Sequence, residues 1–531
     1  MKLTLPPGFS VDSRNATGRT PLMNAALNGN VQVVKSVIKR GADPSLMDNR
    51  GWNTLHCAAM GGDTDIISLI HTHLPNIESK TGEGDTPLMV AALAGKLHAV
   101  KWFLEKGATV ACEDKTGRNA LHHAAQGGDT DIISLIHTHL PNIESKTGEG
   151  DTPLMVAALA GKFHAVKWFL EKGAIVACES NEGWNTLHCA ASGGDTDIIS
   201  LIHTHLPNIE SKTGEGDTPL MVAALCGKLH AVKWYLEKGA TVACEWNRGW
   251  NTLHCAAQGG DTDIISLIHT HLPNIESKTG EGDTPLMVAA LAGKCHAVKW
   301  FLEKGAIVAC ESNRGWNTLH FAASGGDTDI ISLIHTHLPN IESKTGEGDT
   351  PLMVAALCGK LHAVKWYLEK GAIVACESNE GWNTLHCAAS GGDTDIISLI
   401  HTHLPNIESK TGEGDTPLMV AALAGKLHAV KWFLEKGATV TSVKSNGWNI
   451  LHFAAHGGDP DTIDLILTHL PDIESKTADG KTPLIIAVLH GKLQGVKCLL
   501  ERGANPSAKD NDGQNSLHHA SSLDLLLSHV P

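Results

Sequence analysis

The 32 histidines are the residues with the most obvious chemical potential, and their spacing decides what they can do. His71 and His73 form an H-x-H pair that recurs at 137/139, 203/205, 269/271, 335/337 and 401/403. Residues two apart on a helix point to different sides, whereas helical metal ligands sit three or four apart. These pairs therefore cannot grip one ion, and His71, which stands where a neighbouring unit has Leu104, is expected to pack. A second set, His56, His122, His188, His254, His320, His386 and His452, follows a leucine each time. No Ser or Cys is poised beside a unique base, because every candidate recurs every 66 residues. No G-x-x-x-x-G-K-S/T phosphate loop is present either. The expectation is a protein that is not an enzyme, with no catalytic residue, no metal ligand and no cofactor.

The 13 cysteines, an odd number, recur in the same way: Cys178, Cys244, Cys310 and Cys376 are 66 residues apart. With packed helices about 10 Å apart, these sulfurs stand about 20 Å from one another. A disulfide needs Cα atoms within about 7 Å. Reduced thiols and a cytoplasmic location are expected. The tryptophans fall into two classes. Trp102, Trp168, Trp234, Trp300, Trp366 and Trp432 follow an alanine by three residues on a predicted helix and are expected to fill the core. Trp52, Trp184, Trp250, Trp316, Trp382 and Trp448 each directly follow a recurring glycine.

That glycine sets the architecture. It falls every 33 residues from Gly18 to Gly513, giving sixteen units without an insertion, and two unit types alternate, so the true period is 66. One type begins at Gly84 and reads GDTPLMVAALAGKLHAVKWFLEKGATVACE; the other begins at Gly51 and reads GWNTLHCAAMGGDTDIISLIHTHLPNIESK. In the first type Thr86 is expected to cap a helix whose first position is Pro87, where the missing N–H costs nothing. Leu88, Ala91 and Ala92 form its apolar stripe, Gly95 ends it, and Ala99, Val100, Phe103 and Leu104 face a second helix inward until Gly107. In the second type Asn53 replaces the capping Thr, Gly61–Gly62 breaks the chain, and Pro75 follows the second helix. Polar, Gly-rich segments such as Ser79 to Gly84 suit hairpin-like turns between units. Neither helix is long enough to stand alone, so each pair must bury its apolar face against its neighbours. The predicted class is an all-α repeat solenoid of helix-turn-helix units with hairpin-like finger loops.

With the T-P-L or T-L-H segment, the A-A-x-x-G and the Lys106-Gly107-Ala108 ending all in register, the chain resembles the ankyrin-repeat family over residues 18–531. The resemblance implies a superhelix of L-shaped repeats, with fingers to one side and a concave groove used for binding. It also implies that the T-L-H histidine hydrogen-bonds neighbouring turns, and that the post-glycine residue sits at the base of a finger, facing the groove. Leu74-Pro75 in place of the family's terminal Gly-Ala, and Met89 where His is usual, depart from its pattern. Residues 1–17 read as an extension into the first unit, whose Asn24, Asn28, Gln32, Lys35, Lys39 and Arg40 suit a solvent-facing cap. The last unit is shortened near Ser522 and ends in Leu525, Leu526 and Leu527, a poor cap that favours a piece of a longer protein.

Variation inside the chain points to a binding face. The six regular copies from Gly51 to Gly381 differ at Trp52 (Arg118), Thr54 (Ala120), Cys57 (His123, Phe321) and Met60 (Gln126, Ser192, Gln258). The preceding fingertip varies too: Asp48-Asn49-Arg50, Asp114-Lys115-Thr116, Ser180-Asn181-Glu182, Trp246-Asn247-Arg248. The Asp-Thr-Asp-Ile-Ile-Ser-Leu-Ile-His-Thr-His segment, read as outward-facing, does not vary. Sister units place Asp85, Asp151, Asp217, Asp283, Asp349 and Asp415 after their glycine, so Trp and Asp should alternate along the groove. Aromatic anchors beside carboxylates suit an extended or repetitive protein partner carrying basic and apolar residues.

Composition narrows the classes. With 42% apolar and 19% charged residues the chain is a folded type, and a net charge of −15 argues against general nucleic-acid binding. No apolar run of about 18 residues predicts a membrane span. Three functions remain open: a protein-binding scaffold or adaptor, a regulatory or targeting segment of a larger protein, and a passive spacer rod.

Overall fold

A computed structural model describes residues 10–243 and 248–519; Trp246, the start of the amino-terminal extension and the shortened carboxyl end lie outside the described residues. Thirty-three-residue units from Gly18 through Gly480 each contribute two short helices, and strand pairing among the described residues is limited to isolated bridges such as Glu311 with Asn317. The chain is an all-α repeat solenoid. It divides into two compact units, Met1–Pro273 and Asn274–Pro531, and each is a stack in its own right.

The first three repeats show how sequence makes these elements. Helices α1 (Pro21–Leu27) and α2 (Val31–Lys39) form the amino-terminal repeat, α3 (Thr54–Gly61) and α4 (Thr64–His71) the next, and α5 (Pro87–Leu93) and α6 (Leu97–Glu105) the third. The Thr86 hydroxyl accepts the Met89 N–H, and the Asn53 carboxamide oxygen accepts those of Leu55 and His56, so the two alternative caps do one job. The first helices, α1, α3 and α5, pack on one another more extensively than the second helices do. That close approach depends on small residues: Ala58, Ala59, Ala91 and Ala92 are fully buried. Of the polar residues expected to cap the first repeat, Asn28, Gln32, Lys35, Lys39 and Arg40 are exposed and Asn24 is half-buried.

Glycine is required where helix meets helix. A Cβ on Gly193 would lie 2.7 Å from the Ala158 carbonyl oxygen and 2.9 Å from that of Leu159. Gly193→Ala is therefore expected to cost about 1–3 kcal/mol through forced displacement of that backbone. A lower thermal midpoint checks this, and a midpoint equal to wild type would contradict it.

Two expectations about packing need correction. The unvarying Asp-Thr-Asp-Ile segment is not simply outward-facing, because Ile66, Ile67 and Ile70 are fully buried on the inner side of α4. Nor is the Trp102 series core. Phe103 is fully buried, whereas Trp102 is half-buried at the edge of α6. The cause is helical geometry: Ala99, Val100 and Phe103 complete the inward stripe, and Trp102 lies beside it. Its indole N–H donates to the Ser68 hydroxyl at 2.9 Å, and the Lys106 ammonium stands 5.7 Å over its ring. His71 meets Trp102 edge-on at 5.2 Å, the packing role expected of it.

Successive repeats are also tied by polar links. The Glu78 carboxylate accepts the Thr109 N–H at 2.7 Å, Glu144 that of Ile175 at 2.8 Å, and Glu342 that of Ile373 at 2.9 Å. Among the described residues no helix is long and apolar enough to cross a membrane.

Candidate protein-binding surface

The leucine-following histidines build the base of each finger. His56 Nδ1 accepts the Asn53 N–H at 3.3 Å, and its Nε2–H faces the Ser79 and Asp85 carbonyl oxygens at 3.0 and 3.2 Å. A buried imidazole thus pins its own cap to the next repeat's turn, the role the family resemblance implies. Burial pushes its pKa down to about 4, against the carbonyl contacts that favour the charged form. The H-x-H pairs do not converge: His73 Nδ1 turns back to the Leu69 carbonyl oxygen while His71 packs on Trp102.

Against this pinned base stand the post-glycine rings. Trp52, Trp184, Trp250, Trp316, Trp382 and Trp448 are all half-buried, neither sealed in the core nor fully in solvent. Each ring centroid lies 5.9–6.2 Å from the imidazole four residues on. The six aspartates Asp85, Asp151, Asp217, Asp283, Asp349 and Asp415 are half-buried as well. At Trp184 and at Trp52 the structure brings the two sets together. Trp184 shares a recess of about 200 Å³ with Asp151 and Glu149 of the preceding repeat, closed by Leu159 and floored by Cys189. Trp52 lines a wider recess of about 520 Å³ with Glu83 and Asp85 of the following repeat.

These carboxylates are electrostatically uncomfortable. Burial raises the pKa of Asp217 to about 6, with Glu215 adding to the effect. Asp151, Asp283 and Asp349 move the same way, first through burial and then through Glu149, Glu281 and Glu347 respectively. Two sister sites are arranged differently. Lys444 lies 2.8 Å from Asp415, and His123 Nε2 lies 3.4 Å from Asp85 and 3.2 Å from Asp114. The His123 group is the one set of three metal-capable side chains found close together among the described residues. A like pair, His519 with Asp510 at 2.9 Å, forms where Lys481 stands in place of the second carboxylate, so the contact serves as an ordinary tie within a finger.

The other sequence-selected residues divide. Met60 is 41% exposed, Gln258 and Arg248 are exposed, and Arg118 and Gln126 are half-buried. Sequence reasoning missed the leucine that ends each first helix of the other type. Leu93, Leu159, Leu225, Leu291 and Leu357 are 40–46% exposed. Leu159 borders the Trp184 recess. The available signal was their position just beyond the buried Ala-Ala pair.

The family model for ankyrin repeats (3 copies) matches in overlapping stretches from residue 1–81 through 451–527. The chain belongs to the ankyrin-repeat family. It is similar to Transient receptor potential cation channel subfamily A member 1 of Homo sapiens, 26% identical over 438 residues, 72% of this chain and 39% of that protein. It is also similar to Ankyrin repeat and KH domain-containing protein mask-1 of Caenorhabditis elegans, 28% identical over 469 residues, 84% of this chain and 16% of that protein. A shorter match, 33% over 156 residues, is to Nuclear factor NF-kappa-B p105 subunit of Gallus gallus, covering 28% of this chain and 16% of that protein. The chain thus spans well under half the length of these relatives.

Proposed function

We propose that this ankyrin-repeat array is a non-catalytic scaffold or adaptor that holds an extended protein partner against its post-glycine tryptophans. Ankyrin-repeat arrays generally mediate protein–protein interaction. The observation that carries the reading is the pairing of a half-exposed indole with half-buried carboxylates, as at Trp184 and Asp151. Phe103, Phe169, Phe301 and Phe433 are by contrast fully closed in the core. Indole faces attract cations and bury large areas, which makes them effective anchors. The partner is a protein segment presenting basic residues among apolar ones, not nucleic acid, whose phosphates the charge of −15 repels. A reducing, cytoplasmic setting fits the described cysteines, which are unpaired whether buried like Cys57 or exposed like Cys226 and Cys358.

The test is affinity capture with Trp184, Trp250 and Trp316 all changed to Ala, beside a Thr138→Ala control on the outer helix. Capture of the partner should fall at least tenfold for the triple variant only. Equal capture by all three proteins would favour the passive spacer. A second reading, a targeting segment of a larger protein, is supported by the greater lengths of the relatives; it places the same surface in a longer chain.

A further inference from the structure

The Gly447 repeat, sixth of those bearing a post-glycine tryptophan, sets a lysine of its own against the carboxylates of the preceding repeat. Lys444 stands at the position held by Ser180 and Ser378 in sister repeats. The local backbone is the same in all three: the Lys444, Ser180 and Ser378 N–H groups each donate to the carbonyl oxygen of the tryptophan four residues on, at 2.8 Å. From there the Lys444 side chain turns inward and is only 8% exposed. Its ammonium lies 2.8 Å from Asp415, 3.5 Å from Glu413 and 5.6 Å above the Phe453 ring. Two carboxylates and an aromatic face therefore meet one ammonium in a site whose other copies lack the lysine.

Sister sites keep the carboxylates but not the aromatic face, because Cys189 and Cys387 stand where Phe453 does. At Trp184 the carboxylates are Asp151 and Glu149, and Ser180 replaces the lysine. At Trp382, Asp349 and Glu347 hold the matching positions and Ser378 replaces it. Among the described residues no cation lies within ion-pair distance of the Asp151 or Asp349 carboxylates. Burying these carboxylates is costly, and the raised pKa values of both aspartates report that cost over the smaller opposing pull of Arg118 on Asp151 and of Lys344 on Asp349.

We propose that the recess at Trp184 and the equivalent position at Trp382 each receive the ε-ammonium of a lysine from the bound protein, and that Lys444 is the chain's internal mimic of that ligand. This rests on the protein-binding reading above and assigns its specificity. Lysine fits better than arginine, because the internal occupant shows two carboxylates converging on a single point charge rather than on a planar fork. The mimic also marks where the ligand track is closed by the protein itself.

The experiment uses the full chain and a decalysine peptide, read by calorimetry and tryptophan fluorescence at physiological salt. Ser180→Lys with Ser378→Lys installs the mimic at both sister positions; Thr138→Lys with Thr336→Lys adds equal charge on exposed outer positions. The first pair should weaken decalysine at least tenfold and the second no more than twofold. Lys444→Ser should open one more recess, raising the binding stoichiometry. Equal losses from both pairs would reduce the effect to net charge and overturn the proposal, as would no loss from either. Partner capture separates the two readings. If the tryptophan variants abolish it while the Ser→Lys pair leaves it intact, the surface stands and the ammonium recess falls. If neither changes capture, the protein-binding surface itself falls.

Discussion

Between pH 7 and pH 5 the protein is expected to lose on the order of 8 kcal/mol of folding free energy through four buried imidazoles. His56, His122, His188 and His320 are each held down to about 4 by burial. A depressed histidine pKa leaves stability intact above the unfolded value of 6.5 and removes it as pH falls toward 4. At pH 5 each unfolded imidazole is charged while the folded one is not, a difference of roughly 2 kcal/mol per site. His386 and His452 act in the same direction, again through burial. The aspartates oppose this. Asp217, raised to about 6, holds a proton in the folded state that the unfolded state lacks. That returns only about 1 kcal/mol at pH 5, so the histidines win. Urea unfolding followed by circular dichroism at each pH checks the prediction. A flat denaturation midpoint down to pH 5 would contradict it. Repeat stacks need not unfold in one step, so the signal is read as a shift of the whole curve rather than as one transition.

The second large effect concerns neighbouring aromatic residues. Phe103→Ala should cost about 3–5 kcal/mol, because it empties a closed site between helices. Trp102→Ala should cost roughly 2 kcal/mol, the sum of one hydrogen bond and one partly exposed cation–π contact with some lost area. Hydrogen exchange over residues 87–139 and the thermal midpoint both report the difference. A larger loss for Trp102 would mean that the ring, not the phenylalanine, holds the repeats together.

That ordering also shows where sequence reasoning reaches and where it stops. Caps were legible because they are local: Thr86 with Pro87, Asn53 ahead of its helix, and glycines at the ends of helices follow from rules spanning four residues. The repeat was legible because it is periodic. The choice between Trp102 and Phe103 was not, since ring size favours the tryptophan while the helical stripe through Ala99 and Val100 favours the phenylalanine. The pairing of Trp184 with Asp151 followed from treating alternate post-glycine residues as neighbours. The Leu159 wall and the Lys444 occupant did not, because they depend on which way a side chain turns, which the repeat period does not fix. The serine-to-lysine change at 444 was visible, but its meaning required knowing that the side chain turns inward.

The central claim is that a partner lies along the finger bases rather than behind the second helices. Photo-cross-linking from single sites in the full chain tests it most directly, with a photoreactive residue at Glu182 or Glu380 on the recess side and at Thr138 or Thr336 on the outer side. Covalent capture of the bound protein from Glu182 and Glu380, and not from the outer pair, is the predicted result. Cross-links formed only from Thr138 and Thr336 would contradict the account.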